Sequence, residues 1–137
     1  MVQADGPGAT AIVAAADDET RVLLRGLLRL HHFRVLGETD GAAKALTLLK
    51  DHKPGLMVVD VNLSEGSAGD LLADARKLKA DLRIVLVVPA SRPSPLPEGA
   101  PRPDALLYRP FRIRQFLDAV SPEAGDPSVA SVKTSSS

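Results

Sequence analysis

Two short runs, apolar from end to end and each stopped abruptly by acid, constrain the fold of this chain more than any other feature. Ala11-Ile12-Val13-Ala14-Ala15-Ala16 gives way to Asp17-Asp18-Glu19, and Leu56-Met57-Val58-Val59 runs directly into Asp60. A strand with one solvated face alternates apolar and polar residues. A short run with no polar member is instead covered on both faces, as in the interior of a parallel sheet. Between the runs the period changes. From Thr20 to near His31, Val22, Leu23, Leu27, Leu28 and Leu30 recur at three- and four-residue steps, with Arg21, Arg25 and Arg29 opposite them. That spacing predicts an amphipathic helix with a solvated arginine face.

The same alternation continues along the chain. Arg34–Glu38 reads as a second strand, and Asp40-Gly41 opens a helix through Ala42, Ala45, Leu46 and Leu49 that Pro54-Gly55 closes. Gly66 and Gly69 break the next loop before a helical pattern over Asp70–Leu78. Arg83–Val88 is a fourth buried strand ended by Pro89, Ala105–Tyr108 a fifth, and Phe111–Val120 carries Ile113, Phe116, Leu117 and Val120 at helical spacing. Strands alternating with helices predict an α/β fold with right-handed crossovers, a parallel sheet and helices on both faces. One stretch breaks the rhythm. Pro89, Pro93, Pro95, Pro97, Pro101 and Pro103 each remove a backbone donor and push the preceding residue away from helix, so a Pro-rich loop is expected there. Residues 1–9 are expected to be a flexible N-terminus, 10–120 a single domain and 121–137, polar and small, a disordered tail.

The 137 residues suit one domain. Seventeen Lys and Arg balance seventeen Asp and Glu, so no global field draws nucleic acid or an anionic membrane, and 3% aromatics leave little on which to stack bases. Without Cys there is no disulfide, thiol nucleophile or thiolate metal site. The N-terminus has no signal-peptide pattern and no run approaches a membrane span, so a cytoplasmic protein is expected.

In an open parallel sheet, ligands bind beyond the carboxyl ends of the strands, where this chain delivers Asp17, Asp18 and Asp60. Two carboxylates about 4 Å apart repel by roughly 4 kcal/mol at an effective dielectric of about 20. A hard cation such as Mg²⁺, which takes oxygen ligands and retains water, would let them stay ionised together. Taken singly, each acid also fits a helix cap or a solvated first turn. A glycine-rich phosphate loop is absent, since acids stand where its glycines would be. His31 and His32, adjacent and so about 100° apart on a helix, are expected at the surface with His52.

With Asp17-Asp18-Glu19 after strand one, Asp60 after strand three and Arg109-Pro110-Phe111 after strand five, residues 10–120 resemble the receiver domain of two-component response regulators. These positions match the family's acid pair, phosphoacceptor aspartate and Lys-Pro-Phe. The resemblance implies a flavodoxin-like, doubly wound five-stranded parallel sheet in order 2-1-3-4-5 with five helices, the fourth here degraded to the Pro-rich loop. It further implies that Asp60 accepts a phosphoryl group from a histidine kinase or phosphotransfer protein. Mg²⁺ would be held by Asp18, Asp60 and the carbonyl of Asn62, with Asp17 acting through water.

Several positions depart from the family pattern. The switch hydroxyl at the end of strand four falls at Val88 or, with a one-residue slip, Pro89, and neither side chain has one. The family lysine falls at Arg109, a planar fork in place of a compact point charge. The switch aromatic falls at Leu106, the family proline after the acceptor is Ser64, and its glycine is displaced to Gly69.

Two functions follow from this pattern. One is a phosphorelay receiver with an atypical switch, at most catalysing its own phosphorylation and dephosphorylation. The other is a phosphorylation-independent pseudo-receiver acting as a protein-protein interaction module. On either reading, a guanidinium at Arg109 would pair bidentately with Asp60 and hold the pocket closed without phosphate. A metal-dependent phosphohydrolase built on Asp60 and Asn62 is disfavoured, because 137 residues leave no room for a substrate-covering cap. Output would pass through a downstream protein partner or a homodimer on the face formed by helix four, strand five and helix five, with no direct contact to nucleic acid or membrane.

Overall fold

The computed structural model describes residues 10–89, 99 and 101–121. In chain order the elements are β1 (Thr10–Ala14), α1 (Asp18–Leu30), β2 (Arg34–Thr39), α2 (Ala42–His52), β3 (Leu56–Asp60), α3 (Ala68–Leu78), β4 (Arg83–Pro89), β5 (Ala105–Arg109) and α4 (Ile113–Val120). The five strands form one sheet in the order β2-β1-β3-β4-β5, every pair parallel, as the apolar runs predict. This is the flavodoxin-like arrangement, with four helices among the described residues. The Pro-rich loop expected in place of a helix falls largely on 90–98 and 100, and the expected flexible ends on 1–9 and 122–137, all outside the described residues.

Strand pleating sorts the core into two layers. Ile12, Ala14, Met57, Val59, Ile84, Leu86 and Val88 face α2 and α3. Ala11, Val13, Leu56, Val58, Val85, Val87 and Leu107 face α1 and α4. Side chains alternate across a strand, so residues of equal parity share a face. Asp60 continues the series Leu56, Val58, and Arg109 continues Ala105, Leu107, so both lie on the α1 side of the sheet.

The phase of α1 differs from the sequence expectation. Its buried stripe is Thr20, Leu24 and Leu28, while Val22, Leu23 and Leu30 are exposed. Apolar residues at 22, 23, 24, 27, 28 and 30 surround much of the helix, so periodicity alone leaves its rotation open. With this rotation the arginine row is not a solvated face. Arg21 donates to the carbonyl of Ala15 at 2.8 Å, and Arg21 and Arg25 both pair with Glu38 on β2, leaving only Arg29 of the row exposed.

Among the histidines, His32 and His52 are exposed as expected. His31 is half buried, its ring 6.4 Å from that of Phe116 and its Nε2 without a hydrogen-bond partner among the described residues.

The β3–α3 loop also departs from expectation. Gly69 lies buried inside α3, which starts at Ala68 under an N-cap from Ser67, whose Oγ accepts from Asp70 N–H at 3.1 Å. Gly66 alone supplies the left-handed turn, at φ +77°, and a Cβ there would sit 2.6 Å from the Cβ of Ala42. This tight approach seats the loop against the first residue of α2. Gly41 at its N-terminus has no side chain to cap with, so Glu65 of the loop supplies acceptors instead, its backbone oxygen to Ala42 N–H at 3.1 Å and its carboxylate to Ala43 N–H at 2.8 Å. Ser64 ties the same junction by donating to the Asp40 carbonyl at 2.8 Å from both backbone and hydroxyl.

Two glycine substitutions separate these roles. Gly66→Ala is expected to lose about 2 kcal/mol in urea unfolding, through its positive φ and the clash with Ala42. Gly26→Ala, in mid-helix with nothing within 4 Å of its Cβ, is expected to gain about 0.5–1 kcal/mol.

Candidate functional site

The site forms where the carboxyl ends of β1, β3 and β5 meet the N-terminus of α1. Asp60, the last residue of β3, is a buried carboxylate at 2% exposure. Burying an ionised carboxylate is costly unless charge and hydrogen bonds compensate it. Two such partners are in place. The Asp60 Oδ1 accepts from the backbone N–H of Asn62 at 2.8 Å, and Nη2 of Arg109 lies 3.3 Å from Oδ2. The ion pair is made by Nη2, whereas the bidentate pairing expected from sequence uses both terminal nitrogens. Nη1 donates instead to Thr20 Oγ1 in a long hydrogen bond of 3.4 Å. The Arg109 Nε is buried and has no acceptor among the described residues. The Arg109–Pro110 peptide bond is cis.

The acids at the end of β1 divide their work. Asp17 is the N-cap of α1: its Oδ2 accepts at 2.8 Å from both the backbone N–H and the hydroxyl of Thr20. Those two bonds hold the Asp17 carboxyl below its ordinary value of 3.8, the hydroxyl contributing most; desolvation opposes them, and Arg109 and then Arg21 add weaker attraction. Asp18 is exposed and pairs with Arg21 one turn along the helix. Asn62 joins β3 to β1, its N–H on Asp60 and its carbonyl accepting from Ala16 N–H at 3.1 Å.

Of the two positions considered for a switch hydroxyl, Val88 is fully buried in the layer facing α2 and α3. Pro89 has the parity of Val85 and Val87 and pairs in register with Arg109. It lines a groove of about 550 Å³ together with Asp17, Glu19, Thr20, Leu23, Arg109, Pro110 and Phe111. Of the two, Pro89 is therefore the position on the Arg109 face of the sheet, and a ring without hydroxyl or backbone N–H stands there. Leu106 and Tyr108 share the outer face of β5, at 43% and 42% exposure, the face opposite Arg109.

Sequence reasoning finds Asp17, Asp18, Asp60, Asn62 and Arg109, and the structure gathers all of them at this end of the sheet. It misses Thr20. At 7% exposure Thr20 is one of few buried polar residues and touches both Asp17 and Arg109. The available signal was its place three residues after an Asp N-cap, where a hydroxyl can close on the cap.

As for a cation, the donors at this site are oxygens: the carboxylates of Asp17, Asp18 and Asp60 and the carbonyl of Asn62. That chemistry suits Mg²⁺, which needs one or two carboxylates and keeps several waters. Among the described residues no three acidic or histidine side chains already converge on one point. Asp18 in particular is turned to Arg21.

No protein-family model matches the chain. In sequence it is similar to the transcriptional regulatory protein CitT of Bacillus subtilis, at 28% identity over 90 residues, covering 64% of this chain and 40% of that protein. It is also similar to the chemotaxis protein CheY of Bacillus subtilis, at 23% identity over 103 residues, covering 74% of this chain and 85% of that one. In structure it is similar to the receiver domain of the response regulator PhyR from Erythrobacter litoralis, with a TM-score of 0.73 and 22% identity over 85% of this chain and 89% of that domain. A response regulator receiver protein from Sinorhizobium medicae gives the same TM-score at 21% identity, over 87% of this chain and 96% of that one. The chain thus spans well under half of CitT and most of CheY.

Because the Asp17 carboxyl titrates below 3.8 in the folded chain, its contribution to stability is complete above that pH and is lost as pH falls through the lowered value. Asp17→Asn, which keeps an acceptor for the Thr20 N–H, is expected to flatten this acid-side decline when Tm is followed against pH. An unchanged decline would show that other groups carry it.

Proposed function

Since this chain is a receiver domain of the response-regulator type, CheY-like in sequence and in fold, we propose that Asp60 is its phosphoacceptor in a two-component phosphorelay. The observation that carries this is a carboxylate buried at the end of a central strand and held between a cation and a backbone N–H, next to a groove that Arg109 also lines.

In the proposed reaction one oxygen of Asp60 attacks phosphorus, the new P–O bond forms and the bond to the donor's leaving nitrogen breaks, giving an acyl phosphate. Phosphoryl transfer of this kind is mainly a matter of positioning and charge stabilisation. Arg109 would stabilise charge on the phosphoryl oxygens, with its Nε, which has no acceptor among the described residues, a further donor. Asp60, Asp17 and the Asn62 carbonyl, joined by Asp18 on its release from Arg21, would hold Mg²⁺, which when bound neutralises charge on carboxylate and phosphoryl oxygens. The donor in this reading is a histidine kinase or phosphotransfer protein in the cytoplasm. Among the described residues no helix is long and apolar enough to cross a membrane. The output goes to a protein partner, and the exposed Leu106, Tyr108 and Ile113 offer an apolar surface for one or for a second copy of the chain.

One observation favours the phosphorylation-independent module instead: Pro89 leaves no hydroxyl at the end of β4 to bond a phosphoryl oxygen, while Arg109 already contacts Asp60. A single experiment separates the two. Incubated with Mg²⁺ and phosphoramidate, the chain is expected to gain one phosphoryl mass by intact mass spectrometry, and Asp60→Asn to gain none. A wild-type chain that gains none, and that fails to bind beryllofluoride, would overturn the phosphoacceptor reading and favour the module.

A further inference from the structure

The cation at this site differs from a lysine in a way that creates a new requirement. A lysine ammonium is a point charge that donates in any direction, whereas a guanidinium is a flat fork whose donors are useful only in the right plane. A fork that touches its carboxylate through one nitrogen can still turn about that contact. A second anchor is needed to fix its plane.

We propose that Thr20 is this anchor, a positioning residue whose hydroxyl orients the Arg109 guanidinium toward Asp60. The inference rests on the phosphoacceptor reading of Asp60 and deepens it.

The hydrogen-bond accounting supports the role. A threonine hydroxyl has one proton and two lone pairs. Thr20 commits its proton to Asp17 Oδ2 at 2.8 Å, so only lone pairs remain to face Arg109, whose Nη1 lies 3.4 Å away. Asp17 therefore fixes the rotation of the hydroxyl and makes it an acceptor at the point where the cation needs one. Thr20 is itself rigidly held. It is buried, opens the stripe of α1 that continues through Leu24 and Leu28, and has its backbone N–H on the same Asp17 carboxylate. The result is a continuous series Asp17–Thr20–Arg109–Asp60 that reaches from the cap of α1 to the acceptor.

The test compares Thr20→Val and Thr20→Ser in the wild-type and Arg109→Lys backgrounds, using phosphoramidate, Mg²⁺ and intact mass, with thermal unfolding to confirm that each variant folds. Thr20→Val is expected to slow phosphorylation about tenfold, the loss of a hydrogen bond to a charged group. Thr20→Ser should stay within about twofold of wild type, since it keeps the hydroxyl. In the Arg109→Lys background Thr20→Val should change the rate by less than about twofold, because an ammonium has no plane to fix. A Thr20→Val chain that reacts at the wild-type rate, or a loss of equal size beside Lys, would overturn the proposal. Equal loss would mean that Thr20 acts through the cap alone.

A second readout needs no phosphate. In proton–nitrogen NMR of the phosphate-free chain, the Arg109 Nε–H resonance should be distinct in wild type and Thr20→Ser, and merge with those of mobile arginines in Thr20→Val. A resonance that stays distinct in Thr20→Val overturns the positioning role. If that resonance depends on Thr20 while the wild-type chain gains no phosphoryl mass, the phosphoacceptor reading fails and the orientation of Arg109 by Thr20 stands.

Discussion

The central strands of this protein have no exposed face, and most of its other features follow from that. Between Ala11 and Ala14, Leu56 and Val59, and Ile84 and Val88 every side chain is buried, alternately against α1 and α4 or against α2 and α3. A polar group within those spans would be desolvated with no space for a partner. Chemistry is thereby driven to the ends of the strands, where helices begin and loops turn. The alternation that fills the two layers also decides which ends meet. Alternation along its own strand sets each of Asp60 and Arg109 toward α1, so a carboxylate and a cation from strands separated by β4 come together over the helix's first turn.

That first turn is shared between structure and chemistry. Asp17 caps α1 and, through Thr20, stands one hydroxyl away from the cation that faces Asp60. An acid used as a cap and an acid placed for a cation are often treated as alternatives, but here one side chain serves the cap while its neighbour Asp18 turns to Arg21. The loop after Asp60 is likewise shared. Asn62 binds Asp60 and the end of β1, and Ser64, Glu65 and Gly66 hold the start of α2, so a short covalent and hydrogen-bonded route joins Asp60 to that helix. On the other side, Pro89 at the end of β4 offers neither a hydroxyl nor a backbone N–H.

The five strands, their parallel order and the acids at their ends were legible because each depends on residues close together in the chain. Runs such as Leu56–Val59 leave no alternative to burial on both faces. The rotation of α1 was not legible in the same way. With apolar residues around most of its circumference, Leu24 and Leu23 are equivalent in the sequence, and only the sheet beneath chooses Leu24. The same choice carried Arg21 and Arg25 from an expected solvated face to Glu38, since a carboxylate on the neighbouring strand stood within reach. Val88 and Pro89 were also equivalent in sequence, and strand parity separated them.

By itself the sequence determined the alternating architecture and the types of group at the strand ends, because period, chain breaks and burial are local properties that a few residues specify. Tertiary structure alone decided how those groups are paired. Thr20 and Arg109 stand 89 residues apart, as Ala43 and Glu65 stand 22 apart, and no spacing rule links such positions. Their contacts exist because parallel crossovers bring distant strand ends and helix starts to one edge of the sheet, where each unpaired donor takes the nearest acceptor the fold supplies.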